Sequence, residues 1–412
     1  RRGRPRSLEQ VFAATYLLYT RYLDPDLGEP CEVERVIEHL ALQRAWFARN
    51  TGVWLGYGFS WWKRWHVRHY LYSPWNQVRF YQRAAAIPAG LDPAGTRVLV
   101  WGLRDTAALR ARAAACGYPV WRMEDGFLRS VGLGSDLTTP LSQVIDSRGI
   151  YFDPSRPSDL EHLLQTSRFT DTDRDRARQL RERLLAARLS KYNLALREQP
   201  LRHRAGKDQR VVLVPGQVEQ DAAIRMGCPD IASDAELLAA VRQARPGAFI
   251  LYKPHPDVLS GNRAGGRRAA DPADYDQLVG DTSLAACLDA ADEVHTMTSL
   301  VGFEALLRGK PVLTYGIPFY AGWGLTEDRH RLERRQRVLS LDELVAGVLL
   351  HYPRYVNDAS GEFTSAEWTL ERLVRLIDDA RPPRRGLIWR IARTVRAFVS
   401  GALRELGHVR RG

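Results

Sequence analysis

Two stretches of the chain combine the pattern of a buried strand with polar residues that could do chemistry. VVLVPGQVEQDAAIRMG begins with the apolar run 211–214, and AFILYKPHPD contains the apolar run 249–251. Such runs are typical of buried parallel strands, and the carboxyl ends of parallel strands in an open α/β sheet face one crevice. We therefore expect the polar residues that follow them to converge: Gln217, Glu219, Asp221, Lys253 and His255. The alternative is two ordinary strand exits with solvated polar side chains.

A second candidate cluster follows an earlier strand pattern, YPVWRM. Glu124, Asp125 and Gly126 come directly after it. Adjacent carboxylates can supply acid or base chemistry, because mutual repulsion and burial both disfavour ionisation. The following SVGLGSD lacks the GxGxxG spacing that leads into a helix, so a dinucleotide site is rejected.

Hydroxyl and aromatic residues give three further expectations. Thr298 and Ser299 lie between a strand and a helix, where hydroxyls and free N–H groups form either a phosphate seat or a plain N-cap. Their position beside the 253–255 edge favours phosphate. The Trp-rich residues 61–65 could contact an acceptor or lipid, and we favour core or a domain seam. The loop GIPFYAGWGLTEDRH, which starts at Gly316, is suited to binding a sugar or base.

Length and composition favour a globular protein of two domains with appendages. The 412 residues are 45% hydrophobic and 26% charged, and no apolar run approaches the ~20 residues that span a bilayer. Four scattered cysteines without a CxxC favour a reducing cytoplasm. The net charge is +12, but residues 384–412 contain eight Arg and one Glu and hence carry +7 of it. We expect this tail to be an amphipathic helix that lies on anionic membrane or packs on the N-terminal domain.

One segment occurs twice. A constant offset of 333 aligns SLEQVFAATYLLYTRYLDPDLGE, from Ser7, with SLDELVAGVLLHYPRYVNDASGE, from Ser340. The closing element of a module thus stands both before and after one α/β core, which suggests that a preceding module belongs upstream. The predicted division is a closing remnant (1–46), an N-terminal Rossmann-like domain (47–208), a C-terminal Rossmann-like domain (209–338), closing helices (339–383) and a basic tail (384–412).

Several motifs occur in one order along the chain and carry a family resemblance. They are MEDGFLRSVGLGSDL, PLSxVxDxRGIYFD, VPGQVEQDAAI, KPHPDV, GNRxG, EVHTMTSLVGFEALLRG and YGxPFYAGWGLT. With them the chain resembles the bacterial capsule-polysaccharide β-Kdo transferases of the KpsC type, over about residues 52–362. That resemblance implies an α/β fold of GT-B type: two Rossmann-like parallel-sheet domains that face a cleft, with C-terminal helices. It makes the chain similar to the C-terminal one of two tandem modules.

The resemblance also implies a reaction, partners and residue roles. Kdo would pass from CMP-β-Kdo to an oligo-Kdo primer on a lysophospholipid with retention of configuration, in the β-2,7 linkage associated with C-terminal modules. Asp221 would be the nucleophile (its alternative role is an N-cap), Glu124 the acid/base and Asp125 its orienting partner. The donor-binding residues would be Gln217, Lys253, His255, Pro256, Thr298, Ser299 and Glu304. Protein cations and a helix end would replace a metal, so no metal or other cofactor is expected.

The remaining expectations concern partners and rival functions. The inner membrane surface and capsule assembly and export proteins are expected partners, and nucleic acid is not. The alternatives are an inverting enzyme similar to CMP-sialyltransferases, a GT-B sugar-nucleotide epimerase, and a non-catalytic module that binds polyanions or membranes. The last ranks low because most of the excess charge lies in the tail.

Overall fold

Strands and helices follow one another, mostly in alternation, in the described residues from Val33 to Thr314. The computed structural model describes residues 4–130, 139–190, 201, 205–206, 208–259 and 270–380. The strands of these residues are β1 (Tyr22–Leu23), β2 (Pro30–Cys31), β3 (Gly52–Tyr57), β4 (Asn76–Tyr81), β5 (Thr96–Trp101), β6 (Val120–Asp125), β7 (Ser142–Asp146), β8 (Val211–Pro215), β9 (Phe249–Lys253), β10 (Gln277–Leu278), β11 (Glu293–Thr296), β12 (Val312–Thr314), β13 (Glu327–Asp328), β14 (Arg354–Val356) and β15 (Phe363–Thr364).

The α-helices of the same residues are mostly short. They are α1 (Leu8–Phe12), α2 (Val33–Asn50), α3 (Trp61–Tyr70), α4 (Ala107–Cys116), α5 (Asp159–Thr166), α6 (Asp171–Ala186), α7 (Ala222–Gly227), α8 (Asp234–Ala244), α9 (Pro256–Leu259), α10 (Leu284–Ala290), α11 (Leu300–Leu307), α12 (Leu341–Val345) and α13 (Ala366–Ala380). Two π-helical segments, Ala13–Tyr19 and Ala346–His351, continue α1 and α12. None of the helices in the described ranges combines the length and apolar character that crossing a membrane requires.

Two sheets divide the strands. The first has the spatial order β15-β14-β7-β6-β5-β3-β4, and the second has the order β10-β9-β8-β11-β12-β13. All pairs of the second sheet are parallel, as the apolar runs predicted. In the first sheet β4, β3, β5 and β6 are parallel, whereas β7, β14 and β15 are added antiparallel. The sequence pattern predicted a parallel sheet here and did not reveal this antiparallel half.

The closing segment returns to the first sheet. It was predicted as helices, and it also contains β14 and β15, which extend that sheet from β7. Arg354 of β14 is buried and donates to the Asn50 side chain at the end of α2 at 2.6 Å. The Gln43 side chain of α2 exchanges two hydrogen bonds with the backbone of Phe363. The chain therefore crosses from the first sheet to the second and back.

The repeat in the sequence is also a repeat in the structure. Ser7 and Ser340 each form a capping box at the start of a five-residue helix that continues into a π-helical segment. The β1–β2 pair and the β14–β15 pair have the same register after the offset of 333. The surroundings differ. Tyr16 is 51% exposed, whereas its counterpart Leu349 is 1% exposed and lies in the main core.

Candidate active site

The carboxylate pair of the first sheet lies at the end of β6. Glu124 and Asp125 are the last two residues of that strand. The Asp125 N–H donates to Glu124 Oε1 at 3.0 Å. A Cβ on Gly102 would lie 3.2 Å from Glu124 Oε2, and Gly102 has a φ of +51°, so a glycine after β5 leaves room for this carboxylate. Glu124 and Asp125 thus stand at the carboxyl edge of the parallel strands, as predicted.

A buried arginine holds Asp125. Arg129 Nε donates to Asp125 Oδ2 at 2.6 Å, and Arg129 is only 3% exposed. The guanidinium also donates to Ser130 Oγ at 2.7 Å. A charge-assisted bond of this kind fixes the carboxylate in one orientation. This arrangement suits Asp125 to a supporting role beside Glu124.

Lys63 belongs to the Trp-rich stretch and lies close to this carboxylate pair, although the sequence analysis did not single it out. It lies in the first turn of α3, and its Nζ is 3.1 Å from the centroid of the Trp101 ring at the end of β5. Burial lowers the pKa of Lys63 to about 8, although the charges of Glu124 and Asp125 act in the opposite direction. The Trp-rich stretch was expected to be core or seam. A lysine three residues into a helix that follows a parallel strand was the signal that could have found it.

A histidine lies near the same carboxylates. His66 of α3 is 3% exposed, and burial lowers its pKa to about 3. The imidazole is therefore neutral at pH 7 and adds no positive charge to this edge.

The exits of β8 and β9 meet, as predicted. The Gly216 N–H donates to the Lys253 carbonyl at 2.8 Å. A Cβ on Gly216 would lie 3.1 Å from Pro254 Cα and 3.2 Å from the His255 nitrogen. The same Cβ would lie 2.5 Å from Asp234 Oδ2, so a side chain here would force its neighbours to shift. The half-exposed His255 therefore lies beside the turn that leads to Gln217.

Gln217 links this edge to the start of α11. Its Nε2 donates to Thr298 Oγ1 at 3.1 Å, and its Oε1 accepts from the Thr298 N–H at 2.9 Å. Ser299 is the N-cap of α11 and accepts from the Val301 N–H at 3.2 Å. Tyr320 donates to the Ser299 carbonyl at 2.5 Å. The structure thus brings Gln217, Thr298 and Ser299 together at a helix N-terminus, as the phosphate seat requires.

A carboxyl group behind this edge supports the turn. Asp234 accepts from the Gln217 N–H at 2.9 Å and from the Tyr252 hydroxyl at 2.8 Å. Burial raises the pKa of Asp234 to about 6, against the effect of both hydrogen bonds. The turn is therefore held by a carboxyl group whose pKa lies near 6.

Two predicted donor-binding residues are more enclosed than expected. The Lys253 side chain is 7% exposed, and its Nζ donates to the Thr282 carbonyl at 2.6 Å. Burial lowers the pKa of Lys253. Glu304 of α11 is 6% exposed. Pro256 begins the short helix α9 directly after His255, where a proline needs no N–H partner.

The predicted nucleophile is also an N-cap. Asp221 is exposed and precedes α7, and its Oδ1 accepts from the Ala222 N–H at 2.7 Å. The N-cap role weighed from the sequence is therefore present. It does not remove the other role, because one carboxylate oxygen can accept from a helix N–H while the other stays open to a ligand.

An aromatic cluster brings the two sets of residues to one region. Phe127, two residues after Asp125, packs against Phe319 and Phe303 with ring centroids at 4.9 and 6.4 Å. Phe303 belongs to α11, whose N-cap is Ser299. The exit of β6 and the helix of the proposed phosphate seat therefore meet at one boundary between the sheets.

The aromatic loop after β12 does not offer its rings to a ligand. Phe319, Tyr320 and Trp323 are 6%, 0% and 0% exposed. Buried Arg335 donates to the carbonyls of residues 318 and 321 and so fixes the loop from inside. The expectation that these rings grip a sugar or base is wrong, because they fill the interior between the sheets.

Comparison with known proteins decides the family. The family described as "Capsule polysaccharide biosynthesis protein" matches residues 96–355. The chain belongs to this family.

Among the described residues, no group of three or more His, Cys, Asp or Glu side chains could hold a metal ion.

The chain is also similar to a relative of known name and to two solved structures. "Capsule polysaccharide modification protein LipA" of Neisseria meningitidis serogroup A is 44% identical over 378 residues, which cover 91% of this chain and 53% of the relative. The structure of Thermosulfurimonas dismutans KpsC, β-Kdo 2,4 transferase, has a TM-score of 0.68 at 33% identity, and covers 78% of this chain and 97% of that one. The β-Kdo 2,7 transferase of the same protein has a TM-score of 0.61 at 36% identity, covering 78% and 99%.

These similarities confirm the predicted family and the GT-B-like α/β fold with two sheets. The chain spans about half the length of the LipA relative that it matches. Residues 384–412, on which the amphipathic helix was predicted, lie outside the described residues, as do residues 131–136 of SVGLGSD.

Proposed function

We propose that this chain is a glycosyltransferase module that transfers Kdo from CMP-β-Kdo to a Kdo-primed lysophospholipid in capsule biosynthesis. The observation that carries the proposal is the meeting of two chemically different edges across one aromatic cluster. Carboxylates and Lys63 lie on one side, and a helix N-terminus with hydroxyls and His255 lies on the other. Similarity to β-Kdo transferase structures over 97% and 99% of those chains supports the substrate class.

The second sheet would bind the donor. The positive N-terminal end of α11 favours an anion, and Thr298 and Ser299 add hydroxyls. His255 lies at the adjacent exit and would contact the departing phosphate. Lys253 would act mainly by its positive charge, because its ammonium already binds the Thr282 carbonyl. Glu304 would contact the ribose of the donor from the same helix.

Retention would follow from two inversions. In the first step an Asp221 carboxylate oxygen forms a bond to the anomeric carbon as the bond from that carbon to the CMP phosphate breaks. In the second step the acceptor hydroxyl attacks the same carbon, the bond to Asp221 breaks, and Glu124 takes the hydroxyl proton. Asp125, held by Arg129, orients Glu124. Each carboxylate then ends the cycle as it began once Glu124 releases its proton.

The nucleophile can be tested apart from the N-cap role. Asn caps helices about as well as Asp, whereas Ala does not. With CMP-Kdo and no acceptor, intact-protein mass spectrometry should show one added Kdo that maps to the Asp221 peptide in the wild type. Asp221→Asn should form no adduct and keep the wild-type melting temperature. Asp221→Ala should form no adduct and have a lower melting temperature. Glu219→Gln is the matched control and should keep the adduct. An adduct on Glu124 would reverse the two roles.

We propose the β-2,7 linkage. A copy of the closing segment precedes this module, which makes it similar to the C-terminal one of two tandem modules, and the 2,7 linkage is associated with C-terminal modules of the KpsC type. Sequence identity is higher to the 2,7 transferase (36% against 33%), whereas the TM-score is higher to the 2,4 transferase (0.68 against 0.61). NMR of the product made from a synthetic Kdo acceptor decides the linkage, and a 2,4 product would refute this proposal. Release of a free epimerised donor without acceptor would instead indicate an epimerase.

Residues 7–31 are proposed to close a preceding module in the same way that residues 340–364 close this one. The support is the matching register of the strand pairs and the uncovered apolar side chains of the first copy. Val11 is 51% exposed and its counterpart Leu344 is fully buried. Leu344→Ala should therefore cost about 2–5 kcal/mol in this chain, while Val11→Ala costs almost nothing. In a longer chain that includes the preceding module, Val11→Ala should become destabilising, and an unchanged stability would contradict the proposal.

A further inference from the structure

Lys63 lies where a substrate anion would approach Glu124. The carboxyl ends of β3, β5 and β6 form one edge of the first sheet, and α3 begins just after β3. Lys63 Nζ lies above the Trp101 ring at 3.1 Å and is 5.6 Å from the centroid of the Trp62 ring. The Lys63 ammonium therefore lies over the face of an aromatic ring at the same edge as the carboxylates.

The ammonium of Lys63 has no hydrogen-bond acceptor in the part of the chain that the structure describes. Within the ranges that the structure describes, no protein acceptor is hydrogen-bonded to Lys63 Nζ and no carboxylate oxygen lies within 4 Å of it. The neighbouring Asp125 is already engaged by Arg129 at 2.6 Å. An ammonium that is partly buried without acceptors is costly, and a bound anion would supply them. Burial, seen in the lowered pKa, would also strengthen that contact.

We propose that Lys63 binds the carboxylate of the acceptor sugar and thereby places the acceptor hydroxyl beside Glu124. This inference rests on the proposed function, in which the acceptor ends in Kdo, a sugar acid with one carboxylate. We assign Lys63 to the acceptor and not to the donor because α3 lies at the edge of the first sheet, which carries Glu124. The proposed phosphate seat lies at the second sheet. The half-buried Trp62 ring gives the sugar an apolar surface next to the charged contact.

The test combines a change in the protein with a change in the acceptor. Lys63→Gln, Lys63→Arg and the control Arg68→Gln are compared on a Kdo acceptor and on its methyl ester. Arg68 is exposed on the same helix and donates to the Val78 carbonyl. In the wild type and in Arg68→Gln, esterification should raise the acceptor KM and the Kd from calorimetry about 10- to 100-fold, the usual effect of one charge-assisted hydrogen bond.

Lys63→Gln should bind the free acid as weakly as the wild type binds the ester, with no further loss on esterification, and Lys63→Arg should recover part of the difference. The Kdo adduct formed from the donor alone should be unchanged in all variants. The proposal is overturned if Lys63→Gln still distinguishes acid from ester as the wild type does. Failure of the wild type to form adduct or product would refute the transferase function, while the calorimetric comparison would still decide whether Lys63 binds the carboxylate.

Discussion

Replacing Lys63 by methionine should stabilise the protein at neutral pH. Met keeps the apolar stem and removes the charge. The lysine pKa falls from 10.5 to about 8 in the folded state, which corresponds to about 3 kcal/mol at 1.36 kcal/mol per pKa unit. Loss of the contact with the Trp101 ring offsets about 0.5–2 kcal/mol of this. The net gain at pH 7 should be about 1–3 kcal/mol, or a melting temperature higher by several degrees.

The pH dependence identifies the cause. The unfolded lysine binds its proton more tightly than the folded one, so the unfolded state holds more protons between pH 8 and 10.5. Wild-type stability therefore gains from this residue as the pH rises through that window, and Lys63→Met has no such gain. The difference in melting temperature should be largest below pH 8 and shrink toward pH 10. Arg68→Gln should show a difference that does not vary with pH, because arginine stays charged. A constant difference for Lys63→Met, or a destabilised variant at pH 7, would refute the reasoning.

Three further changes test the second sheet. Gly302→Ala should cost about 1–3 kcal/mol, seen as a lower melting temperature, because a Cβ there would lie 2.2 Å from the Tyr320 hydroxyl oxygen. Adding Tyr320→Phe should recover only part of the lost stability, since a ring carbon would lie 2.6 Å from the same Cβ. Asp234→Asn should gain stability relative to the wild type as the pH rises from about 4 to 7, because the folded wild-type carboxyl, with its pKa of about 6, keeps its proton longer than the unfolded one; a flat difference would contradict this. Gln217→Leu should weaken CMP binding about tenfold by calorimetry, and Gln217→Glu should weaken it further, because its carboxylate repels the CMP phosphate although it keeps the acceptor for the Thr298 N–H.

The meeting of β8 and β9 could be predicted from sequence because it depends on local signals. Each strand is a short apolar run that ends in Gly, Pro or charged residues, and neighbouring parallel strands place those ends together. The same logic placed Glu124 and Asp125 at the end of β6. The pairing of Gln217 with Thr298 follows from this convergence, but the hydrogen-bond pattern required coordinates.

Burial was harder to predict than position. The rings of Phe319, Tyr320 and Trp323 were expected to face a ligand, but they lie in the main hydrophobic core, and Arg335 binds the carbonyls of their loop. Lys63 was difficult to identify because its sequence neighbours suggest burial. It lies among tryptophans that resemble core residues, and only the tertiary packing of α3 on β5 shows that its ammonium reaches the carboxylate edge. Neither outcome is encoded in the residues next to these side chains.

The repeated closing segment separates what local sequence determines from what packing determines. The capping boxes at Ser7 and Ser340, the π-helical continuations and the strand registers agree between the copies. These features depend on hydrogen bonds within about thirty residues, so each copy forms them independently of its surroundings. Burial does not agree, because it requires a core that only the second copy contacts. The fold of such a segment can therefore be predicted from its sequence, whereas its contribution to stability is set by the module on which it packs.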